Sequence, residues 1–351
     1  MVGMMRLFDD EPVSLRAKTI GIYLFLISAN ILAWVWALVE FKDHPILLGT
    51  ASLAYTFGLR HAVDPDHIAA IDNVTRKLMQ EGRRPLAAGF FFALGHSTVV
   101  FIASVLVALS VAALQARFEG FKAIGGVIGT GVSAFFLLVI ALANTVVLVS
   151  VYRMFTAVKR GESLVEDDLN DLLSQRGVLG RMLRSLFGII GKSWHMYPLG
   201  VLFGLGFDTA SEIGLLGISA TEGSAGLSVW SILVFPALFT AGMALVDTTD
   251  GMLMINAYGW AFIKPMRKLY YNLAITLVSI VVALLVGGIE VLGLLGSRLG
   301  LEGRFWDSIS MLNENFGALG TLIVGVFLGS WLISAVVYNF NGYDDIEVRV
   351  P

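Results

Sequence analysis

The stretch RHAVDPDHI, residues 60–68, lies inside an apolar run of the chain and determines how that run can fold. It places two histidines and two aspartates within seven residues, although each carboxylate near a bilayer centre costs about 2.5–3.5 kcal/mol. Pro65 lacks an N–H group and clashes with the carbonyl group four residues earlier, which disfavours a continuous helix. We therefore expect a helix that is kinked or discontinuous at Pro65, with its polar side chains facing a shared interior.

The rest of the chain has the composition of a membrane protein. Of its 351 residues, 56% are hydrophobic and 15% are charged, whereas soluble proteins average about 25% charged residues. A membrane-spanning helix needs roughly 20 mostly apolar residues. The sequence predicts an all-α membrane protein with eight transmembrane helices, at residues 20–40, 46–73, 86–114, 124–152, 197–220, 229–262, 269–295 and 316–338.

The basic residues predict the orientation of these helices. Of the 24 lysines and arginines, 18 fall on the side of the amino terminus, five fall on the opposite side, and Arg60 lies within a span. By the positive-inside rule, both termini are expected to be cytoplasmic. We expect a cytoplasmic segment at 1–19, a transport domain at 20–340 with a cytoplasmic loop at 153–192, and a cytoplasmic tail at 341–351, all in the cytoplasmic (inner) membrane.

Several classes of function are disfavoured by composition. The chain has no cysteine, which excludes disulfides and thiolate metal sites. Its net charge of −3, without a run of basic residues, gives no indication of a nucleic-acid partner. The lipid bilayer is an expected partner, and the sequence leaves protein partners open.

The histidines and aspartates of residues 60–68 are candidate metal ligands. On a straight helix, His61, Asp64 and His67 would share one face while Asp66 would point away. A kink at Pro65 could turn Asp66 toward the same cavity. The alternative for these residues is a set of His–Asp hydrogen bonds that pack helices together.

Further polar residues occur within other apolar runs. Asp208 and Glu212 are spaced i, i+4, and Asp247 and Asp250 are spaced i, i+3. Two spaced acidic pairs suggest a path for a cation, although packing hydrogen bonds or a proton relay are alternatives. Two further candidates for supporting roles, each with packing as its alternative, are His96 and Asn144.

Four segments of the chain resemble the signatures of the nickel/cobalt transporter (NiCoT) family. They occur in the order of the family on four different spans: RHAVDPDHI (60–68), LGHS (94–97), LGFDTASE (205–212) and GM followed by DTTDG (242–251). The similarity extends over about residues 20–340. Two departures are Pro65, where the family usually has Ala, and Ser211, where it more often has Thr.

This resemblance implies an eight-helix secondary permease for Ni²⁺ or Co²⁺ with both termini in the cytoplasm and no cofactor. It implies metal binding by His61, Asp64, Asp66 and His67. Supporting roles are implied for His96, Asp208, Thr209, Ser211, Glu212, Asp247 and Asp250.

The chemistry of the residues leaves other functions open. Imidazole and carboxylate groups suit Ni²⁺ and Co²⁺ but also Cu²⁺ and Zn²⁺. The alternatives are an intramembrane metal-dependent enzyme, although the chain lacks His-Glu-x-x-His, and a proton-coupled solute carrier. The sequence does not determine the preferred metal, the energy coupling or the oligomeric state. It also leaves open an inverted repeat that relates residues 58–61 to residues 204–207.

Overall fold

The computed structural model describes residues 8–11, 15–109, 112–160, 190–206, 210–261 and 265–340. Within these ranges the regular structure is helical, with no strand. A 3₁₀ turn spans Ser193–His195. The helices are α1 (Leu15–Glu40), α2 (Pro45–His61), α3 (Pro65–Gln80), α4 (Ala88–Leu109), α5 (Ala112–Lys159), α6 (Met196–Gly204), α7 (Ala210–Ser224), α8 (Val229–Ile232), α9 (Val234–Ala261), α10 (Pro265–Leu299), α11 (Arg304–Glu314) and α12 (Phe316–Phe340).

Six segments of the described chain are long and apolar enough to cross a membrane, and they include most of α1, α4, α5, α9, α10 and α12. The remaining two predicted spans, 46–73 and 197–220, each correspond to a pair of shorter helices. The all-helical fold is confirmed. The count of eight spans and the cytoplasmic termini stay predictions.

The first of these pairs contains the break expected at Pro65. Helix α2 ends at His61 and α3 begins at Pro65. Asp64 is extended, with φ −70° and ψ 143°, because the ring of a following proline disfavours the helical conformation. The Asp64 amide donates to the His61 carbonyl at 2.9 Å and closes the turn. The discontinuous helix predicted from the sequence is therefore present.

The second half of this pair, α3, lies in the interior of the bundle. Of its 16 residues, 13 are buried. Helix α3 continues to Gln80, beyond residue 73 where the predicted span ends. Arg76 and Lys77, two of the 18 basic residues assigned to the side of the amino terminus, are thus helical, and Arg76 is buried.

Helix α9 organises the packing around α3. It contacts α1, α2, α3 and α4, while α4 also packs against α6 and α7. Gly89 on α4 permits a close approach of the two helices, because a Cβ atom there would overlap the backbone of Asp247 on α9. Helix α4 also contacts α3, so it touches helices from both broken pairs.

Two further features differ from the sequence prediction. Helix α6 ends at Gly204 and α7 begins at Ala210, so a second break occurs where an unbroken span was expected. Helix α11, for which no helix was predicted, has an amphipathic sequence and exposes Phe305 and Met311. Its low overall hydrophobicity gave no signal in a search for apolar runs.

Candidate metal centre

Six buried side chains meet at the break between α2 and α3, and we call them the histidine cluster. Each is no more than 3% exposed. The ligand atoms of its three histidines lie within 4.8 Å of one another. The cluster consists of His61 at the end of α2, Asp64 in the break, His67 in the first turn of α3, His96 on α4, Glu212 on α7 and Asp247 on α9.

Two carboxylates of the cluster orient two of its imidazoles. His61 Nδ1 lies 2.9 Å from Asp64 Oδ2, and His67 Nδ1 lies 3.2 Å from Asp247 Oδ2. When a carboxylate accepts a hydrogen bond from the Nδ1–H group of a neutral imidazole, the lone pair on Nε2 remains available. This pairing of carboxylate and histidine is common in metal sites, where it fixes the tautomer and the ring orientation of the ligand.

The use of Asp64 is unusual for its position in the chain. It precedes the first residue of α3, where an aspartate normally accepts hydrogen bonds from the first amides of the helix. Its side chain makes no such bond and instead contacts His61. Asp64 thus contacts a histidine of the cluster instead of capping α3.

Three atoms of the cluster form a right-angled triangle. His96 Nε2 lies 2.9 Å from both His61 Nε2 and Glu212 Oε1, and the latter two atoms are 4.0 Å apart. An ion midway between His61 Nε2 and Glu212 Oε1 would therefore lie about 2.0 Å from each and about 2.1 Å from His96 Nε2, within the usual lengths of metal–nitrogen and metal–oxygen bonds.

This triangle corresponds to three corners of a square-planar or octahedral centre. Tetrahedral ligands at the same bond lengths would all be about 3.3 Å apart. Square-planar and tetragonal geometry with nitrogen and oxygen ligands is typical of Ni²⁺ and Cu²⁺.

Hydrogen bonds alone cannot satisfy the cluster. A ring nitrogen offers either one proton or one lone pair in the ring plane, so His96 Nε2 can bond only one of its two close neighbours. Within the described ranges, His67 Nε2 and His96 Nδ1 are buried without a hydrogen-bond partner. A cation bound between the imidazoles would use the lone pair of His67 Nε2, which otherwise has no partner.

The other predicted site residues do not belong to the histidine cluster. Asp66 is partly exposed, and no described residue forms a hydrogen bond or ion pair with its carboxylate. Ser211 is buried beside Glu212. Asp250 lies nearly one turn beyond Asp247, and its Oδ2 atom has no hydrogen-bond partner in the described part of the chain. Asp208 and Thr209 lie outside the described residues.

Asn144 belongs to a second buried group, which we call the arginine cluster: Asn73, Arg76, Asn144 and Thr276. Arg76 donates through Nη1 to Thr276 Oγ1 at 2.7 Å and through Nη2 to Asn73 Oδ1 at 3.1 Å. Asn144 donates to the same Asn73 oxygen at 2.7 Å. Sequence reasoning missed Arg76, although the i, i+3 spacing of Asn73 and Arg76 indicates a shared helix face.

Over most of its length the chain is similar to proteins named as nickel transporters. The model of the NicO family, described as high-affinity nickel-transport protein, matches residues 47–337. A high-affinity nickel transport protein of Cupriavidus necator is 60% identical over 334 residues, which is 95% of each chain. The nickel transporter NixA of Staphylococcus aureus is 45% identical and covers 96% of this chain and 98% of its own.

A further relative carries the name of another metal. The cobalt transport protein NhlF of Rhodococcus rhodochrous is 42% identical, over 84% of this chain and 83% of its own length. No solved structure matches the chain. The extent and identity of these matches show that the chain belongs to the NicO family of high-affinity nickel-transport proteins.

Proposed function

We propose that the chain is a permease that takes up Ni²⁺ across the cytoplasmic membrane and binds the ion at the histidine cluster. The observation that carries this proposal is the triangle of His61 Nε2, His96 Nε2 and Glu212 Oε1, which fits a divalent metal ion. His67, with its unpartnered Nε2 atom, supplies the fourth donor. The relatives named as transport proteins support a transporter rather than an enzyme.

This assignment differs from the one that the sequence suggested. Asp64 and Asp247 become orienting residues, because each contacts a histidine Nδ1 atom. His96 and Glu212 become ligands. Asp66 takes no part in the first coordination shell in this proposal.

The geometry of the cluster bears on metal preference. A tetragonal site discriminates against Zn²⁺, which prefers tetrahedral coordination in proteins. We propose Ni²⁺ as the principal cargo, and Co²⁺ as a second cargo on the strength of the relative named as a cobalt transporter.

The ion would leave the cluster along α9 past Asp250, whose carboxylate lies nearly one turn beyond Asp247. A membrane potential supplies about 2.3 kcal/mol per elementary charge for each 100 mV, so a divalent ion that moves inward gains about 4.6 kcal/mol. Such a potential is sufficient to drive accumulation without a second coupling ion.

Uptake of radioactive Ni²⁺ into proteoliposomes with an inside-negative potential tests the proposal. Removal of a ligand should cost more than the 10- to 100-fold that is typical when an orienting partner is lost. We expect His96→Ala to reduce initial uptake by at least about 100-fold. The matched control is His44→Ala, since His44 is exposed before α2, and it should retain uptake. Full uptake by the His96 variant would contradict the ligand assignment.

A further inference from the structure

A crevice between α3, α5 and α6 lies outside the histidine cluster. It encloses a cavity of about 280 Å³, comparable to the smaller ligand pockets of proteins. One end is basic, with Arg76, Lys77 and His195, and the rest is apolar, with Phe135, Val139 and Leu202. We call it the basic crevice.

Arg76 is the residue of the crevice that most needs a partner. It is only 2% exposed. Its two Nη atoms donate to neutral oxygens of Thr276 and Asn73, while its Nε atom has no hydrogen-bond partner in the described part of the chain. No carboxylate of the described residues forms an ion pair with it. A buried charge is costly unless an opposite charge compensates it, so a bound anion would stabilise Arg76.

The neighbouring basic residue strengthens the positive character of this end. Lys77 donates to the Ile190 carbonyl at 2.6 Å and lies 3.7 Å from Glu81. Its charge is therefore partly compensated, whereas no carboxylate in the described ranges pairs with Arg76. An incoming phosphate would accept hydrogen bonds from the guanidinium group, for which such charge-assisted bonds are strong.

The apolar wall of the crevice opens to the outside of the helix bundle. Phe135 is 59% exposed and Leu202 is 40% exposed, and both lie on helices that border the crevice. His195 immediately precedes α6, and Leu202 lies about 10 Å further along the helix axis. The polarity therefore changes from basic to apolar along the direction in which the helices run.

We propose that the basic crevice binds one anionic phospholipid, with its phosphate at Arg76 and Lys77 and an acyl chain along Phe135, Val139 and Leu202. Basic pockets between membrane helices are suited to anionic lipid headgroups. In this crevice an apolar wall extends from the basic end along the helices, as an acyl chain extends from its headgroup. The lipid compensates the Arg76 charge and fixes α3, which carries His67, against α5 and α6. The proposal does not depend on which ion the protein transports.

Thermal unfolding of the full chain in detergent micelles tests the lipid specificity. Added phosphatidylglycerol should raise the unfolding midpoint by at least about 3 °C, because a ligand that binds only the folded state stabilises it. Phosphatidylcholine with the same acyl chains should raise it by less than about 1 °C. Equal shifts with the two lipids would overturn the proposal. An equal shift with sn-glycerol 3-phosphate, which has no acyl chain, would overturn the assignment to a lipid.

Variants locate the effect in the crevice. Arg76→Gln removes the buried charge, and Val139→Trp fills the apolar slot without changing any charge. Either should abolish the difference between the two lipids, and native mass spectrometry should show that one bound phosphatidylglycerol per chain is lost. Arg160→Gln is the matched control, since Arg160 is exposed at the end of α5 and lies outside the crevice. An unchanged lipid preference in Val139→Trp would contradict the proposal even if Arg76→Gln failed to fold.

Discussion

The histidine cluster and the arginine cluster are both buried, and both include residues of α3, yet they balance their charges differently. The histidine cluster combines three imidazoles with three carboxylates and leaves ring nitrogens unsatisfied. In the arginine cluster a guanidinium cation donates to one hydroxyl group and one amide oxygen, and a second amide donates to that same oxygen. One cluster can accept a cation from outside, whereas the other already contains one.

This contrast gives a criterion for polar residues inside membrane proteins. Burial and proximity are the same in the two clusters, so neither property identifies a metal site. The difference lies in the count of lone pairs against protons. An excess of lone pairs converging on one point favours a bound cation, and an excess of N–H groups favours a bound anion.

The largest effect is expected from Glu212→Gln, which removes the only carboxylate of the ligand triangle. The substitution keeps the size of the side chain but replaces a charged ligand by a neutral amide in a buried site, where the charge of a ligand matters most. We expect Ni²⁺ uptake into proteoliposomes to fall by at least about 100-fold.

Glu290→Gln provides the matched control for this substitution. Glu290 is also a buried glutamate, but it lies on α10 and accepts hydrogen bonds from Ser133 at 2.8 and 3.0 Å. Uptake should stay within about threefold of the unaltered protein, since Glu290 lies outside the triangle and the glutamine oxygen can still accept a hydrogen bond from Ser133. Similar losses in the two variants would show that burial of a carboxylate, rather than its place in the triangle, governs transport.

A smaller effect is expected from Asp247→Asn, which weakens the orientation of His67. Loss of such an orienting partner typically lowers metal affinity by 10- to 100-fold. The measurement is equilibrium binding of Ni²⁺ to the purified protein. Asp250→Asn, on the same helix, should leave this affinity within about twofold because Asp250 contacts no histidine of the cluster in the described structure. If the two variants bind Ni²⁺ equally well, Asp247 does not orient a ligand.

The break in the second predicted span could be predicted because its cause is local. Proline excludes a regular helix regardless of what surrounds it. The candidate ligands His61 and His67 were likewise identifiable, since their spacing around Pro65 is a property of the sequence alone. The apolar segments could also be predicted, since their composition is a property of the sequence alone.

The roles proposed for His96 and Glu212 could not be predicted, because they depend on which faces of α4 and α7 meet the break. Close helix contacts such as the one at Gly89 determine those faces. The helical wheel placed Asp64 beside His61 and His67 as a ligand. The break instead leaves Asp64 in extended backbone, where its carboxylate reaches His61 Nδ1.

The smallest effect on Ni²⁺ affinity is expected from Asn144→Ala. This substitution tests whether the arginine cluster contributes to metal binding. Asn144 donates to Asn73, six residues and so about 9 Å along α3 from His67. Asn73 Oδ1 keeps its bond from Arg76 in the variant, so the cost should be about 1 kcal/mol. We expect a midpoint of thermal unfolding that is about 2–4 °C lower and a Ni²⁺ affinity within about twofold of the unaltered protein. A tenfold loss of affinity without a loss of stability would instead place Asn144 on the route of the ion and join the two clusters into one pathway.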